Sequence, residues 1–290
     1  MLLRSDIQIR DPFIFVENGR YYLYGTTDLN CWRGKAAGFE AYASDDLTHF
    51  QPMGRVFAPS DDFWGTENFW APELHKYQNA YYLFASFKAP GRRRATSILK
   101  ADNPLGPFMP WGEEKATPAD WECLDGTLYV DKDGLPWIVF CHEWVQGGGG
   151  TVCSRRLKED LSGPAGDAHT LFAARDAVWT KKIRHSSGIE GHVTDGPFMY
   201  KPANGQLWML WSSMSETGYA IGLSISESGH ILGPWHQQEK PLYSGDGGHG
   251  MVFRGADNVL RLAIHTPNRT PDERPIFLPV KEASNGLVLA

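Results

Sequence analysis

"IQIRDPFIFVENGRYYLYGTTD", residues 7–28, sets out an acidic residue, a proline, an apolar run, a turn and an aromatic run, in that order. "PFIFV" (12–16) and "RYYLYG" (20–25) read as strands, and the glycine of the intervening "ENG" permits a tight hairpin turn. Asp11 stands between Arg10 and Pro12, and the residue before a proline is expected to be extended. "FEAYASDD" and "FQPMGRVF" follow, giving three or four strands in the opening segment and no convincing helix.

The same order returns in "FWAPELHKYQNAYYLFASF" (69–87), "GTLYVDKDGLPWIVFCHEW" (126–144), "GPFMYKPANGQLWMLWSSM" (196–214) and "GHGMVFRGADNVLRLAIHTP" (248–267). Units starting near residues 12, 71, 125, 195 and 249 recur every 54 to 70 residues. Four short antiparallel strands per unit is the pattern of propeller blades: a lone sheet with two apolar faces cannot bury them, whereas a ring of sheets stacks face on face. The expectation is an all-β, five-bladed β-propeller forming one domain over residues 1–290. A β-sandwich also uses alternating strands, but it does not call for the recurring acidic residue, Gly or Pro, strand, turn and aromatic strand.

Composition narrows the function classes. A formal charge of −6 opposes a surface built to attract phosphate backbones, and the short basic run "GRRRAT" (91–96) reads as a solvated hairpin turn, so nucleic acid is not an expected partner. Cys31, Cys123, Cys141 and Cys153 lack metal-site spacing and read as reduced, buried residues. No apolar run approaches the roughly 20 residues of a membrane span, and "MLLRSDIQIRDP" is too short in apolar residues for a secretion signal; a cytoplasmic protein with no membrane partner is expected. "GGGG" (147–150) lacks the lysine and helix of a phosphate loop. Nothing in the sequence sets the oligomeric state.

In a propeller the innermost strands start on one face near the axis, so Asp11, Asp125 and Asp195, each just before such a strand, are expected to converge. Carboxylates sharing a cavity repel, which raises one pKa and leaves another group ionised. That asymmetry suits glycosidic bond hydrolysis, where one carboxyl protonates the leaving oxygen and another activates water. With 11 tryptophans among 290 residues, aromatic platforms for sugar rings are available.

"RDPFIFVENGRYYLYGT", "FWAPELHKYQNAYYLFAS", "LDGTLYVDKDGLPWIVF", "TDGPFMYKPANGQLWMLWSS" and "GGHGMVF" together make the chain resemble glycoside hydrolase family 43 over nearly its full length. The resemblance implies a five-bladed propeller that removes arabinose, xylose or a related sugar from plant oligosaccharides with inversion. It implies Asp11 as general base and Asp125 as the residue that orients the acid and tunes its pKa. It also places His249 by the axis, beside a structural calcium ion or a water; no cofactor is otherwise required. Relatives carry glutamate before Gly-Pro at the start of blade four, where this chain has Asp195, one methylene shorter. The general acid is therefore open among Asp195, Glu143 in "FCHEWVQ" and Glu190 in "IEGHVTDGP". Trp70 matches the family's cavity-facing aromatic residue. Glu73, Phe69, Trp32, Trp144, His142, His192 and Arg269 are further candidates for holding sugar, and the stretches 26–40, 58–70 and 174–194 for walling off an exo-acting pocket. A propeller that only binds carbohydrate is the alternative.

Overall fold

The computed structural model describes residues 1–29 and 31–290, and its strands form five antiparallel sheets of four or five strands arranged as a five-bladed propeller, with a two-stranded ribbon, Ile183–Arg184 and Glu190–Gly191, beside them. From the axis outward, blade one comprises Arg10–Glu17, Arg20–Thr26, Phe39–Ser44 and His49–Phe57. Blade two comprises Glu67–Tyr77, Ala80–Lys88, Ala95–Ala101 and Met109–Pro110, and blade three Cys123–Val130, Pro136–His142, Thr151–Leu157 and Pro164–Ala173. Blade four runs through Asp195–Tyr200, Leu207–Ser215, Gly218–Ser226 and Trp235–Gln237, and blade five through Gly248–Arg254, Leu260–Thr266, Arg274–Ala283 and Gly286–Leu289. A four-residue α-helix, Trp144–Gly147, interrupts the pattern after the second strand of blade three. It stops at Gly148, which takes the left-handed conformation (φ 74°) common after a helix end.

Two-residue alternation explains why these sheets stack. In blade four, Leu207, Met209 and Trp211 pack toward blade three, against Val139, Cys141 and Val152, while Trp208 and Leu210 pack toward blade five, against Leu262 and Ile264. In blade three, Ile138 and Phe140 turn the other way, to Tyr82, Phe84 and Ile98 of blade two. Successive side chains leave opposite faces of a strand, so a near-continuous apolar run feeds two cores at once. Each such side chain, buried, contributes about 1.5–3 kcal/mol.

The ring closes by the same packing. Met251 and Phe253 of blade five join Phe13, Ile14 and Tyr21 of blade one in a single cluster, and each blade keeps its own four strands. Leu2–Leu3 adds a short strand along the outer edge of blade one, with Leu2 opposite Phe50. No helix among the described residues is long and apolar enough to cross a membrane.

Candidate active site

Every inner strand loses its register at its first residues: between Arg10 and Phe13, Trp70 and Glu73, Leu124 and Thr127, Asp195 and Phe198, and Gly248 and Met251. Inside each break one residue is left-handed: Asp11 (φ 54°), Ala71 (48°), Asp125 (56°), Gly196 (50°) and His249 (43°), so Asp11 is not extended as its following proline led one to expect, because the bulge overrides that preference. A left-handed non-glycine residue costs on the order of 1–3 kcal/mol and persists only where its surroundings fix it. Here the bulge turns one side chain per blade toward the axis. Asp11, Asp125 and His249 occupy equivalent places; Asp195 does not, because it stands one position earlier, before the left-handed Gly196. A Cβ on Gly196 would lie 2.6 Å from His249 Cδ2, so glycine is required there on two counts.

A ring of hydrogen bonds holds these breaks. Ala71 N–H donates to Thr26 Oγ1 (2.9 Å), Asp125 N–H to Ser86 Oγ (2.8 Å), His249 N–H to Ser212 Oγ (2.8 Å) and Asp11 N–H to His265 Nδ1 (3.1 Å). Each acceptor lies on the second strand of the preceding blade. Gly196 N–H donates instead to Asp125 Oδ2 (3.0 Å).

The carboxylates meet around one imidazole. His249 Nδ1 lies 3.2 Å from Asp11 Oδ1 and 3.5 Å from Asp125 Oδ2. Burial alone would push the Asp11 carboxyl up, but His249, Arg10, His265 and the Thr26 hydroxyl (2.7 Å) outweigh it and hold the group below its usual value. For His249, burial would lower the pKa, and the carboxylates of Asp11, Asp125 and Asp195 raise it instead. Burial pushes Asp125 up to about 7, with the charges of Asp195 and Asp11 adding, against the pull of His249 and the Gly196 N–H. Asp195 is likewise raised by burial to about 6, with Asp11 and Glu143 adding; His249 and the Tyr219 hydroxyl, which donates to Asp195 Oδ2 (3.0 Å), work the other way. His265 lies 3.7 Å from Asp11 Oδ1, yet its Nδ1 accepts the Asp11 N–H and burial lowers its pKa to about 3, so it is a neutral ring rather than an ion-pair partner. Its Nε2 faces Asn268 Oδ1 (3.1 Å), which also accepts from Arg10 (2.6 Å).

These residues line a pocket of about 390 Å³ at the mouth of the ring. Its walls carry Trp32, Trp70, Trp144, His185 and Asn268, and the stretches 26–40, 58–70 (through Trp70) and 174–194 all contribute. Arg94 lies over the Trp70 ring (3.8 Å to its centre) with Nε 3.4 Å from Glu143 Oε2. Trp70 Nε1 donates to the Cys31 carbonyl (2.7 Å), and Trp32 meets Trp70 edge-on at 5.3 Å.

Of the candidates singled out in the sequence, Asp11, Asp125, Asp195, Glu143, His249, Trp32, Trp70 and Trp144 come together in this pocket. Glu190 does not: its side chain is 48% exposed and pairs with Lys182. Arg269 is 76% exposed and pairs with Asp272, while its neighbour Asn268 reaches the pocket. Phe69 is buried in the core between blades one and two. Glu73 is buried against His75 (3.2 Å), His142 stacks on Trp121 and faces Gln146, and His192 bonds Thr180, all outside the pocket lining. The basic run 91–96 is only partly a solvated turn, since Arg94 is 5% exposed and belongs to the site. Arg10, Tyr219, His265 and Asn268 join the site without having been singled out; Arg10 and Asn268 each adjoin a residue that was.

His249 offers one imidazole whose Nδ1 faces the two carboxylates, and among the described residues no three His, Cys, Asp or Glu side chains are arranged to hold a metal ion. The residues present do not fit a protein-ligated calcium ion. The four cysteines are buried free thiols.

Comparison with known proteins agrees with this architecture. The model of glycosyl hydrolases family 43 matches residues 6–276. A crystal structure described as an endo-arabinase from Bacteroides thetaiotaomicron VPI-5482 is 42% identical, with 98% of each chain covered and a TM-score of 0.91. The extracellular exo-alpha-(1->5)-L-arabinofuranosidase ArbA of Cellvibrio japonicus (strain Ueda107) is 23% identical over 80% of this chain and 67% of its own. The extracellular endo-alpha-(1->5)-L-arabinanase 1 of Bacillus subtilis (strain 168) is 22% identical over 58% of this chain, which spans about half of that relative (52%). Matched along nearly its whole length, and folded as the matched structure is, the chain belongs to the glycosyl hydrolases of family 43.

Proposed function

We propose that this chain is an inverting glycosidase that removes arabinose, xylose or a related sugar from the end of plant-derived oligosaccharides. The observation that carries the reading is the split among three buried carboxyls in one pocket: Asp11 is held ionised, whereas Asp195 and Asp125 are raised toward neutrality. An ionised carboxylate can take a proton from water, and a carboxyl with a pKa near the working pH can give one to the leaving oxygen.

Asp11 is then the general base, oriented by Thr26, His249 and the N–H bond to His265. Asp195 is the general acid. Its side chain is one methylene shorter than the glutamate the family resemblance puts there, and Tyr219 fixes one of its oxygens. Asp125 ties the two together, touching His249 on one side and the backbone just after Asp195 on the other. Trp32, Trp70 and Trp144 supply flat apolar surfaces, and Arg10, Arg94 and Asn268 supply donors for hydroxyls.

A second reading puts the proton on Glu143, which lines the same pocket with a longer side chain and is held by Arg94. Asp195→Ala and Glu143→Ala separate the two. Loss of the acid costs about 10²–10⁴-fold on a natural oligosaccharide and far less on an aryl glycoside with a good leaving group. The Asp195 assignment expects that split in Asp195→Ala; the split in Glu143→Ala alone transfers the role, and its absence from both removes the hydrolase mechanism. The names of the relatives favour arabinan-type substrates and include both exo- and endo-acting enzymes. Product length from an end-labelled arabino-oligosaccharide decides between these modes.

A further inference from the structure

The hydrogen-bond ring around the axis has one exception. In four of the five blades, the second-strand residue opposite the residue just before the left-handed one is a polar acceptor for the next blade. These are Thr26 opposite Arg10, Ser86 opposite Trp70, Ser212 opposite Asp195 and His265 opposite Gly248. They receive the N–H groups of Ala71, Asp125, His249 and Asp11. The corresponding residue of blade three is Cys141, opposite Leu124, and the N–H it would receive is that of Gly196. That N–H goes to Asp125 Oδ2 at 3.0 Å.

A thiol is a weak acceptor beside a hydroxyl or an imidazole nitrogen. Cys141 is fully buried and packed among Leu124, Val139 and Trp211, with its thiol engaged by the Thr194 side chain, so it puts a weak and already partnered sulfur in the acceptor's place. A buried N–H must find another partner, and the nearest strong one is a carboxylate. We propose that Cys141 is a positioning residue that withholds a hydrogen bond, so that the Gly196 N–H clamps the Asp125 carboxylate against the backbone of the proton donor next to it. The catalytic consequence rests on the reading of Asp195 as general acid; the hydrogen-bond consequence does not.

Asp125 Oδ2 is thereby fixed between His249 Nδ1 and the residue following Asp195, and Asp125 and Asp195 keep one relative placement. A hydroxyl at position 141 would match the ring at Thr26, Ser86 and Ser212, would capture the Gly196 N–H and would free Asp125. The substitution that looks most conservative is therefore the more damaging one. Cys141→Ser changes one atom but introduces an acceptor, whereas Cys141→Ala removes the sulfur and introduces none. A purely structural role for the thiol predicts the opposite order, because the alanine leaves a larger void.

The test uses the full chain carrying each substitution, with thermal melting to confirm folding. Two readouts are needed: a crystal structure of the Cys141→Ser protein, and kcat on an arabino-oligosaccharide and on an activated aryl arabinoside. The expected structure has Gly196 N–H directed to the introduced hydroxyl and the Asp125 carboxylate released from it. The expected kcat of Cys141→Ser on the oligosaccharide falls about ten-fold or more, the scale of losing one hydrogen bond to a charged group. Cys141→Ala falls less than Cys141→Ser, and the aryl substrate is the less affected in both. A Gly196 N–H still on Asp125 in the serine variant overturns the proposal, as does a loss in the alanine variant equal to or greater than that in the serine variant. Should the N–H move while the unsubstituted protein hydrolyses no glycoside, the clamp stands and the hydrolase reading fails.

Discussion

Asp11 and Asp125, more than a hundred residues apart in the chain, lie against the same nitrogen of His249, at 3.2 and 3.5 Å. Their carboxyls nonetheless carry their protons at different pH. Thr26, Arg10 and His249 favour the ionised form of Asp11, while Asp125 is buried beside two other carboxylates. Proximity to a shared partner thus separates their protonation equilibria rather than making a redundant pair.

The raised groups make activity and stability respond to pH in linked ways. With Asp195, near 6, as the proposed acid and Asp11 as the proposed base, kcat/KM is expected to fall on the alkaline side as Asp195 loses its proton and on the acid side as Asp11 protonates below the usual carboxylate range. In the unfolded chain Asp195 ionises near 3.8. Between there and about 6 the folded state binds the extra proton, so this group's contribution to stability is present at low pH and is lost as pH rises. Asp195→Asn removes that dependence. Its Tm is expected to exceed that of the unsubstituted protein by a few degrees at pH 8, with the gap closing at pH 4. Thermal melting at the two pH values checks this, and an equal gap at both would count against a raised Asp195.

Thr26 performs two tasks with one hydroxyl, donating to Asp11 Oδ2 and accepting the Ala71 N–H. Thr26→Val keeps the shape but leaves a buried N–H unpaired, at a cost of about 1–3 kcal/mol. The Asp11 carboxylate is freed at the same time. A Tm lower by several degrees is expected. A kcat lower by about one to two orders of magnitude, with KM little changed, should accompany it, because the base is misplaced while the sugar-binding surfaces are untouched. Steady-state kinetics beside a melting curve measure both; a change in KM alone would contradict it.

Glu190 and Arg269 give the opposite expectation. Both are largely exposed and held by surface partners, Lys182 and Asp272. Exposed ion pairs contribute little, so Glu190→Ala and Arg269→Ala should each alter stability by less than about 0.5–1 kcal/mol and leave kcat/KM within about two-fold. A large loss from Glu190→Ala, measured on an oligosaccharide, would return it to the list of acids.

Much of this was legible in the sequence because propeller physics repeats. The runs "YLYGT", "YLFAS", "WIVFC", "MLWS" and "LAIH" lie in the second strands and close on Thr26, Ser86, Cys141, Ser212 and His265, at or within three residues of the strand ends. Their apolar alternation marks blades facing neighbours on both sides. The polar residue closing four of these runs is the acceptor of the hydrogen-bond ring, a signal open to reading once the blades are aligned. Asp11 and Asp125 were recognisable from their places before inner strands. The displacement of Asp195 was not, because a bulge shifts register by one residue and "TDGP" looks like ordinary turn chemistry. Arg94 was hidden for a similar reason: adjacent to Arg92 and Arg93, it differs from them only in pointing over Trp70. Asn268 and Tyr219 reach the pocket through loop and third-strand geometry that no local pattern encodes.

In the proposed mechanism Asp11 directs water to the face of the sugar opposite the leaving group. Proton NMR of the first-formed anomer, recorded while the unsubstituted protein acts on an α-1,5-linked arabino-oligosaccharide, tests this most directly. The β-anomer should appear first and then mutarotate toward equilibrium. First appearance of the α-anomer, or no release of sugar from arabino- or xylo-oligosaccharides, would contradict it.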